Sequence, residues 1–414
     1  MKHQIAIIGA GTAGITIAAQ LLRKNQDLDI VIVDPADKHY YQPAWTLVGA
    51  GTYKFEDTER SMASVMPQGI KWVKEAVVEA HPDQNLLILQ GGCRLTYDYL
   101  IAAPGIQMNI DAMPGMREGM EKGIVGSVYT DPEGYWKMLS NFQGGTALFT
   151  QPDTPIRCGG APMKIMYLTE DYLRKKGKRK DAKIVFATPG SVIFGVEPFK
   201  SRLMKVIDRK DIFLNFFHAP IRIDVEEQVA YFKLKETLPE KTFYNAKEIN
   251  KIIVSDTEVG IPFTMMHLPP PQSAPDFVRQ SPLANADGWL DVHHNTLQHN
   301  RYPNVFGVGD SAALPTAKTG AAIRKQAPVV VENVLRLIAG RTDLSEGYQG
   351  YSSCPIVTDY GKMLLAEFKY ENVRDSDPII SAVIDTGKEN WPMWMLKKFG
   401  LPYMYWNYML KGKA

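Results

Sequence analysis

The residues with chemical potential in this sequence are three cysteines and two glycine-bearing turns. Cys158 stands in Thr154-Pro155-Ile156-Arg157-Cys158-Gly159-Gly160-Ala161-Pro162-Met163-Lys164. Pro162 suits the first turn of a helix, so Cys158 lies just ahead of a helix N-terminus, between Arg157 and Lys164. The helix end and the two cations all favour a thiolate. Gly159 and Gly160 let a small group or another backbone approach the sulfur. Cys354 sits in Tyr351-Ser352-Ser353-Cys354-Pro355-Ile356, where Pro355 pushes it toward an extended conformation. The residues alone leave two readings open for both: a redox-active or nucleophilic thiol, or a small buried hydrophobe. For Cys93, in Gly91-Gly92-Cys93-Arg94, packing is the expectation.

The first glycine turn is Gly9-Ala10-Gly11-Thr12-Ala13-Gly14, directly after the apolar run Ile5–Ile8. Gly9 permits a tight turn, Gly11 lets backbone approach a pyrophosphate, and Gly14 lets the following helix pack close on the strand. The helix N-terminus then faces the phosphates. A second apolar strand, Ile30–Val33, ends in Asp34, 20 positions beyond Gly14, where a ribose hydroxyl partner belongs. Strand, helix and acid together predict an adenine dinucleotide site.

With 414 residues the chain holds two or three domains. A formal net charge of +2 gives no electrostatic case for nucleic acid. Three scattered cysteines are too few for a disulfide framework or a zinc site, and the eight histidines show no ligand spacing, so no metal is expected. His293 and His294 read as solvated. The N-terminus enters a strand almost at once, so no targeting peptide is expected, and with no stretch of eighteen uninterrupted apolar residues no transmembrane helix is expected.

Strands are expected at Trp72–Val78, Leu86–Gln90 and Leu100–Ala103. The middle block alternates strands (Gly145–Thr150, Lys183–Thr188) with a helix over Pro162–Lys176, yet neither strand is followed by phosphate-binding glycines. Tyr302-Pro303-Asn304-Val305-Phe306-Gly307-Val308-Gly309-Asp310 then forms a short buried strand ending in Gly-Asp, with a helix expected from Gly320 to Ile338. This unit resembles the late motif of flavoproteins with two dinucleotide domains. That resemblance implies FAD, with Asp310 bonded to its ribitol chain. The fold class expected is α/β, with two Rossmann-like domains in tandem and a C-terminal amphipathic membrane-associating region. The expected boundaries are 1–110 and 261–350 for the FAD-binding domain, 111–260 for the second domain and 351–414 for the C-terminal region.

From Asn390 to Ala414 there is no acidic residue, while Trp391, Trp394, Phe399, Tyr403, Tyr405, Trp406 and Tyr408 alternate with Lys397, Lys398, Lys411 and Lys413. Gly400 and Pro402 are expected to break the stretch into two short helices. Half-wet aromatics and lysines suit a lipid headgroup layer. Packing on the core or against a second copy, as in a homodimer, is the alternative.

Over nearly its whole length the chain resembles sulfide:quinone oxidoreductases of the two-cysteine type that includes the mitochondrial enzyme. The strings that carry this are His39-Tyr40-Tyr41-Gln42-Pro43-Ala44-Trp45-Thr46-Leu47-Val48-Gly49-Ala50-Gly51, residues 154–168, residues 297–310, Ser353-Cys354-Pro355 with Leu365-Ala366-Glu367-Phe368, and Tyr405-Trp406-Asn407. The resemblance implies FAD contacts at Gly9, Gly11, Thr12, Ala13, Gly14, Asp34, Gln42, Val77, Gly309, Asp310, Gly320, Ala321, Ala322 and Ile323. It implies a redox pair of Cys158 and Cys354 on one flavin face, and a tail over 391–414 that holds the enzyme on a membrane and admits a quinone to the other face. Sulfide would attack the oxidised pair, leaving one cysteine as a persulfide. Cys158 is expected to carry that persulfide and Cys354 to attack the flavin, with the reverse order open. The sulfane sulfur would pass to a thiol, coenzyme A, sulfite or sulfide. The expected location is the cytoplasmic face of a prokaryotic membrane. A type II NADH:quinone dehydrogenase is the nearest competing class, disfavoured by the missing second glycine turn. A non-catalytic redox-sensing flavoprotein is the other.

Overall fold

In the computed structural model the described residues are 1–235, the strand Phe243–Tyr244 and 249–414. Ile5–Ile8 is buried on both faces, as a central parallel strand must be. It belongs to β1 (Lys2–Ile8), which is followed by helix α1 (Thr12–Lys24) and β2 (Ile30–Val33). The sheet is completed by β3 (Lys71–Val73), β4 (Val77–His81), β5 (Leu86–Leu89) and β6 (Arg94–Ala102), in the order β3-β2-β1-β6-β5-β4. The late strand Val305–Gly307 returns to pair in parallel with β6 at Phe306↔Ile101. The strand expected over Trp72–Val78 is two strands instead. The Glu75 N–H turns back onto the Val73 carbonyl at 2.9 Å, which ends β3 and redirects the chain into the antiparallel β4–β5 pair.

The second sheet contains β7 (Val125–Gly126), β8 (Gly145–Thr150), β9 (Ala182–Ala187), β10 (Phe213–Asn215) and β11 (Met265–His267) in the order β7-β11-β8-β9-β10. These five are parallel, and Phe243–Tyr244 adds an antiparallel edge. Chain order reverses at β8, the position from which a doubly wound sheet presents ligands. Helix α2 (Ala161–Lys175) leads from β8 toward β9. An antiparallel four-stranded sheet drawn from 218–262 covers the opposite face through Phe232, Val259 and Ile261.

Helix α3 (Ile323–Ile338) packs on α1. It starts three residues later than expected, because Gly320–Ala322 form a turn capped by Thr319, whose hydroxyl accepts from the Ala322 N–H at 3.3 Å. The chain then forms an antiparallel hairpin of β12 (Ser352–Asp359) and β13 (Lys362–Lys369), which packs on α2. Residues 391–409 run as one helical stretch, with π turns at Leu396–Gly400 and Tyr405–Met409, so Gly400 and Pro402 do not break it. Pro402 falls in a first α turn directly after a π turn, where a missing N–H costs little. This stretch joins both cores. Met393 and Trp394 pack with α2 and the hairpin, whereas Tyr405, Met409 and Leu410 pack with α1 and α3.

Gly14 is required by the β1–α1 approach, since a Cβ there would lie 1.9 Å from the Gly9 carbonyl oxygen. At Gly11 a Cβ meets nothing within 4 Å. In denaturant unfolding, Gly14→Ala should lose about 1–3 kcal/mol, as overpacking does, and Gly11→Ala markedly less. Equal losses would mean that the two glycines serve the same packing purpose.

Candidate active site

Cys158 occupies the turn between β8 and α2, the place where a dinucleotide fold would put its phosphate-binding glycines. Its φ is +52°, a left-handed conformation that a cysteine adopts only when its surroundings hold it there. Three hydrogen bonds do so. The Cys158 N–H donates to the Lys318 carbonyl at 2.7 Å, and its carbonyl accepts from the Tyr129 hydroxyl at 3.0 Å and the Ala161 N–H at 2.8 Å. Cys354, on β12, is buried and faces α2. A Cβ at Gly160 would lie 2.4 Å from the Cys354 sulfur, so only glycine lets the two segments meet. The two thiols come within hydrogen-bonding contact. Residues 158 and 354, whose meeting no sequence argument could show, therefore form one site.

Two ammonium groups surround the pair. Lys164 Nζ lies 3.1 Å from the Cys158 sulfur, and the lysine is 2 % exposed. Burial alone would lower the Lys164 ammonium, yet the adjacent thiols outweigh it and hold the group raised. The hydrogen bond from Cys354, aided by the charges of Lys164 and Lys397, holds Cys158 well below the usual thiol range against burial. The same shared bond, with burial, pushes Cys354 up. We therefore assign the thiolate to Cys158. Lys397 corrects the expectation of four headgroup lysines. It is 2 % exposed, points inward from the Leu396–Gly400 π turn and donates to the Pro43 carbonyl at 2.5 Å. Burial, then repulsion from Lys164, brings it down to about 7.

The dinucleotide residues converge on the other side of Cys158. The Ala10 N–H donates to Asp34 Oδ2 at 2.6 Å, and Asp34 Oδ1 accepts from the Ala36 N–H at 2.8 Å. Gly309 approaches the side chains of Ala13 and Ile323, so the early and late glycine motifs share one corner. Asp310 is raised chiefly by burial, with Arg157, Lys318 and Cys158 as its charged neighbours. Open space at Gly11 and Gly320 and a half-buried carboxyl at 310 fit a bound dinucleotide. Val77 packs with Ile8, Val31 and Val33, and Gln42 opens the turn that carries Pro43. Lys318 stands beside Asp310, donating to the Ala312 carbonyl at 2.9 Å, and burial lowers it to about 8. Glu170 lies elsewhere, in a buried ion network with Lys210 and Asp359.

A cavity of about 410 Å³ opens against Cys354, bordered by Gly159, Gly160, Phe186, Phe194 and Thr319. Cys158 does not border it. Cys93 is exposed, which overturns the packing expectation, because its turn projects from the β5–β6 connection. In sequence, Lys164 was visible as a flanking cation. Lys397 and Tyr129 carried no such signal, because their roles arise only when distant segments meet.

In the reduced protein, the pH dependence of alkylation should give a Cys158 midpoint well below the ordinary thiol value. Lys164→Met should raise that midpoint by about 1–3 units, the effect of removing an adjacent opposite charge. An unchanged midpoint would show that Lys164 does not set the thiolate.

Residues 3–135 match the pyridine nucleotide-disulphide oxidoreductase family. The chain is 39% identical over 412 residues to the mitochondrial sulfide:quinone oxidoreductase of Mus musculus, covering 99% of this chain and 87% of that protein. It is 37% identical to the mitochondrial sulfide:quinone oxidoreductase of Dictyostelium discoideum, covering 99% of this chain and 86% of that protein. Its fold matches the solved sulfide:quinone oxidoreductase of Aquifex aeolicus with a TM-score of 0.78 at 19% identity, covering 99% of this chain and 92% of that one. On this similarity and on the site just described, the chain belongs to the sulfide:quinone oxidoreductase family.

Proposed function

We propose that this protein oxidises sulfide to sulfane sulfur at the Cys158–Cys354 pair and passes the electrons through FAD to a membrane quinone. The observation that carries this reading is the meeting of two remote sulfurs beside a buried cation, next to the corner where both glycine motifs converge. Gly9–Gly14, Asp34, Gly309, Asp310 and the turn Gly320–Ile323 would hold FAD. When bound, FAD supplies a two-electron acceptor that a quinone can reoxidise.

The chain's own residues divide the work. With the pair oxidised, hydrosulfide enters the cavity and attacks the Cys354 sulfur. One S–S bond forms, the Cys158–Cys354 bond breaks, and Cys354 carries –S–SH while Cys158 leaves as thiolate. Lys164 stabilises that thiolate at 3.1 Å. Cys354 carries the persulfide in this scheme, the reverse of the order first expected, because Cys354 borders the cavity and Cys158 borders Asp310 and Lys318. An acceptor thiolate, sulfite or further sulfide takes the sulfane sulfur and leaves both cysteines reduced. Reforming their bond then releases two electrons, and Lys397 and Lys164 offset the negative charge held meanwhile.

The outer faces of two C-terminal elements support a membrane contact. Trp391, Phe399, Tyr403 and Tyr408 are exposed along 391–409, and Ile379 and Val383 project from Pro378–Val383. Among the described residues no helix is long and apolar enough to cross a membrane, so the contact proposed is peripheral. Two of the relatives described are mitochondrial by name, so the comparisons do not support a prokaryotic membrane in particular.

Anaerobic sulfide should bleach the flavin of the native protein and of Cys93→Ser, but not of Cys158→Ser or Cys354→Ser. Bleaching of either of the last two at the native rate would sink the scheme, and rapid bleaching by NADH would favour the dehydrogenase reading. Replacing Phe399 and Tyr403 by aspartate should release the protein from vesicles of phosphatidylcholine and phosphatidylglycerol in a sedimentation assay. Retention at the native level would move the membrane face elsewhere.

A further inference from the structure

We propose that residues 405–414 form a clasp on the dinucleotide loop, in which Tyr405 is the positioning residue that steadies bound FAD. This rests on the FAD reading above. Tyr405 is buried at the start of the last π turn. Its hydroxyl lies 2.8 Å from Thr12 Oγ1 and 2.6 Å from His39 Nε2, and His39 Nδ1 lies 3.0 Å from the Ala10 carbonyl. Both Ala10 and Thr12 belong to the Gly9–Gly14 turn.

The direction of this chain of bonds follows from donor chemistry. A carbonyl only accepts, so His39 Nδ1 donates to it. Burial lowers His39 below its ordinary value and keeps the ring neutral, which leaves Nε2 as an acceptor for the Tyr405 O–H. The Tyr405 oxygen then accepts from Thr12 Oγ1–H. Each donor is used once. The two peptide groups that flank the Ala10 Cα are thereby both held, the Ala10 N–H by Asp34 and the Ala10 carbonyl by His39.

The rest of the segment runs along α1. Met409 and Leu410 pack in the same cluster as Ile15, Ala18 and Leu21. Gly412 lies so close to Ala19 and Gln20 that a Cβ would come within 2.8 Å of their backbone, and Gln20 Nε2 donates to the Ala414 carbonyl at 2.9 Å. Phenylalanine would fill the same space as Tyr405. The hydroxyl adds only its direct contact to Thr12 and its contact to His39, which reaches the loop at the Ala10 carbonyl, so its role is to fix the position of Gly11 and Thr12 where FAD would bind. The opposite face of the same helical stretch carries the exposed Phe399 and Tyr403. The element proposed to touch lipid thus also closes on the cofactor loop.

The test is the rate at which FAD leaves the holoenzyme after dilution, read as flavin passing a filter. Tyr405→Phe should release FAD about five- to tenfold faster, the loss of roughly one net hydrogen bond. Thr12→Val should do much the same, Thr12→Ser should keep the native rate, and the double variant Tyr405→Phe/Thr12→Val should be little faster than either single one. Native release from Tyr405→Phe overturns the clasp while leaving FAD binding intact. Single effects that multiply in the double variant reduce Tyr405 to general packing and overturn the positioning role. Should Tyr405→Phe not fold, equal release from Thr12→Ser and Thr12→Val has the same force. A native chain that retains no FAD overturns the underlying reading instead.

Discussion

The close approach of Gly160 to the Cys354 sulfur is the constraint on which the site depends. It brings β12 against the N-terminal end of α2, and any side chain at 160 would occupy the space of the sulfur itself. Once those segments touch, the rest follows. Cys158, held at a positive φ by bonds to Lys318 and Tyr129, can only present its sulfur toward Cys354 and Lys164. The pair is asymmetric for the same reason. One sulfur has an ammonium at 3.1 Å and faces the dinucleotide corner, while the other lies in a strand and borders a cavity. Attack at one sulfur and release of a stabilised thiolate from the other is the chemistry that this asymmetry suits.

Burial of cations without full compensation would be costly, and the site manages it by sharing. Lys164 and Lys397 are both buried near the thiols, and they respond oppositely. Lys164 stays charged because a thiolate lies beside it, whereas burial, then repulsion from Lys164, brings Lys397 down to about 7, so that it is partly charged at neutral pH. A third buried lysine, Lys210, lies between Glu170 and Asp359 and ties α2 to the hairpin's turn. The chemistry of the pair and the rigidity of its supports therefore come from the same helix, on opposite ends.

Much of this was legible in the sequence where the signal was local. The Gly9–Gly14 turn with Asp34, the Gly309-Asp310 strand end and the helix after Pro162 are short-range patterns whose physics fixes their shape. Lys164, one cause of the lowered Cys158 thiol, is a neighbour in sequence, whereas the largest cause, the hydrogen bond from Cys354, is not. What was not legible depended on contacts between remote segments or on local geometry that the pattern does not encode. Lys397 reads as a surface lysine until the tail is seen to turn it inward, and Cys93 reads as packing until its turn is seen to project. Pro402 reads as a breaker because a periodicity argument assumes α geometry, and π turns on both sides absorb it. The order proposed for the two cysteines rests on the cavity, which no sequence pattern encodes.

The most direct test of the central claim is the location of the sulfane sulfur. Anaerobic addition of sulfide to the oxidised holoenzyme, rapid alkylation and mass analysis of the peptides should find the extra sulfur on Cys354, with Cys158 alkylated as a plain thiol. Extra sulfur on Cys158 with Cys354 unmodified would contradict the assignment of roles drawn from Lys164 and the cavity.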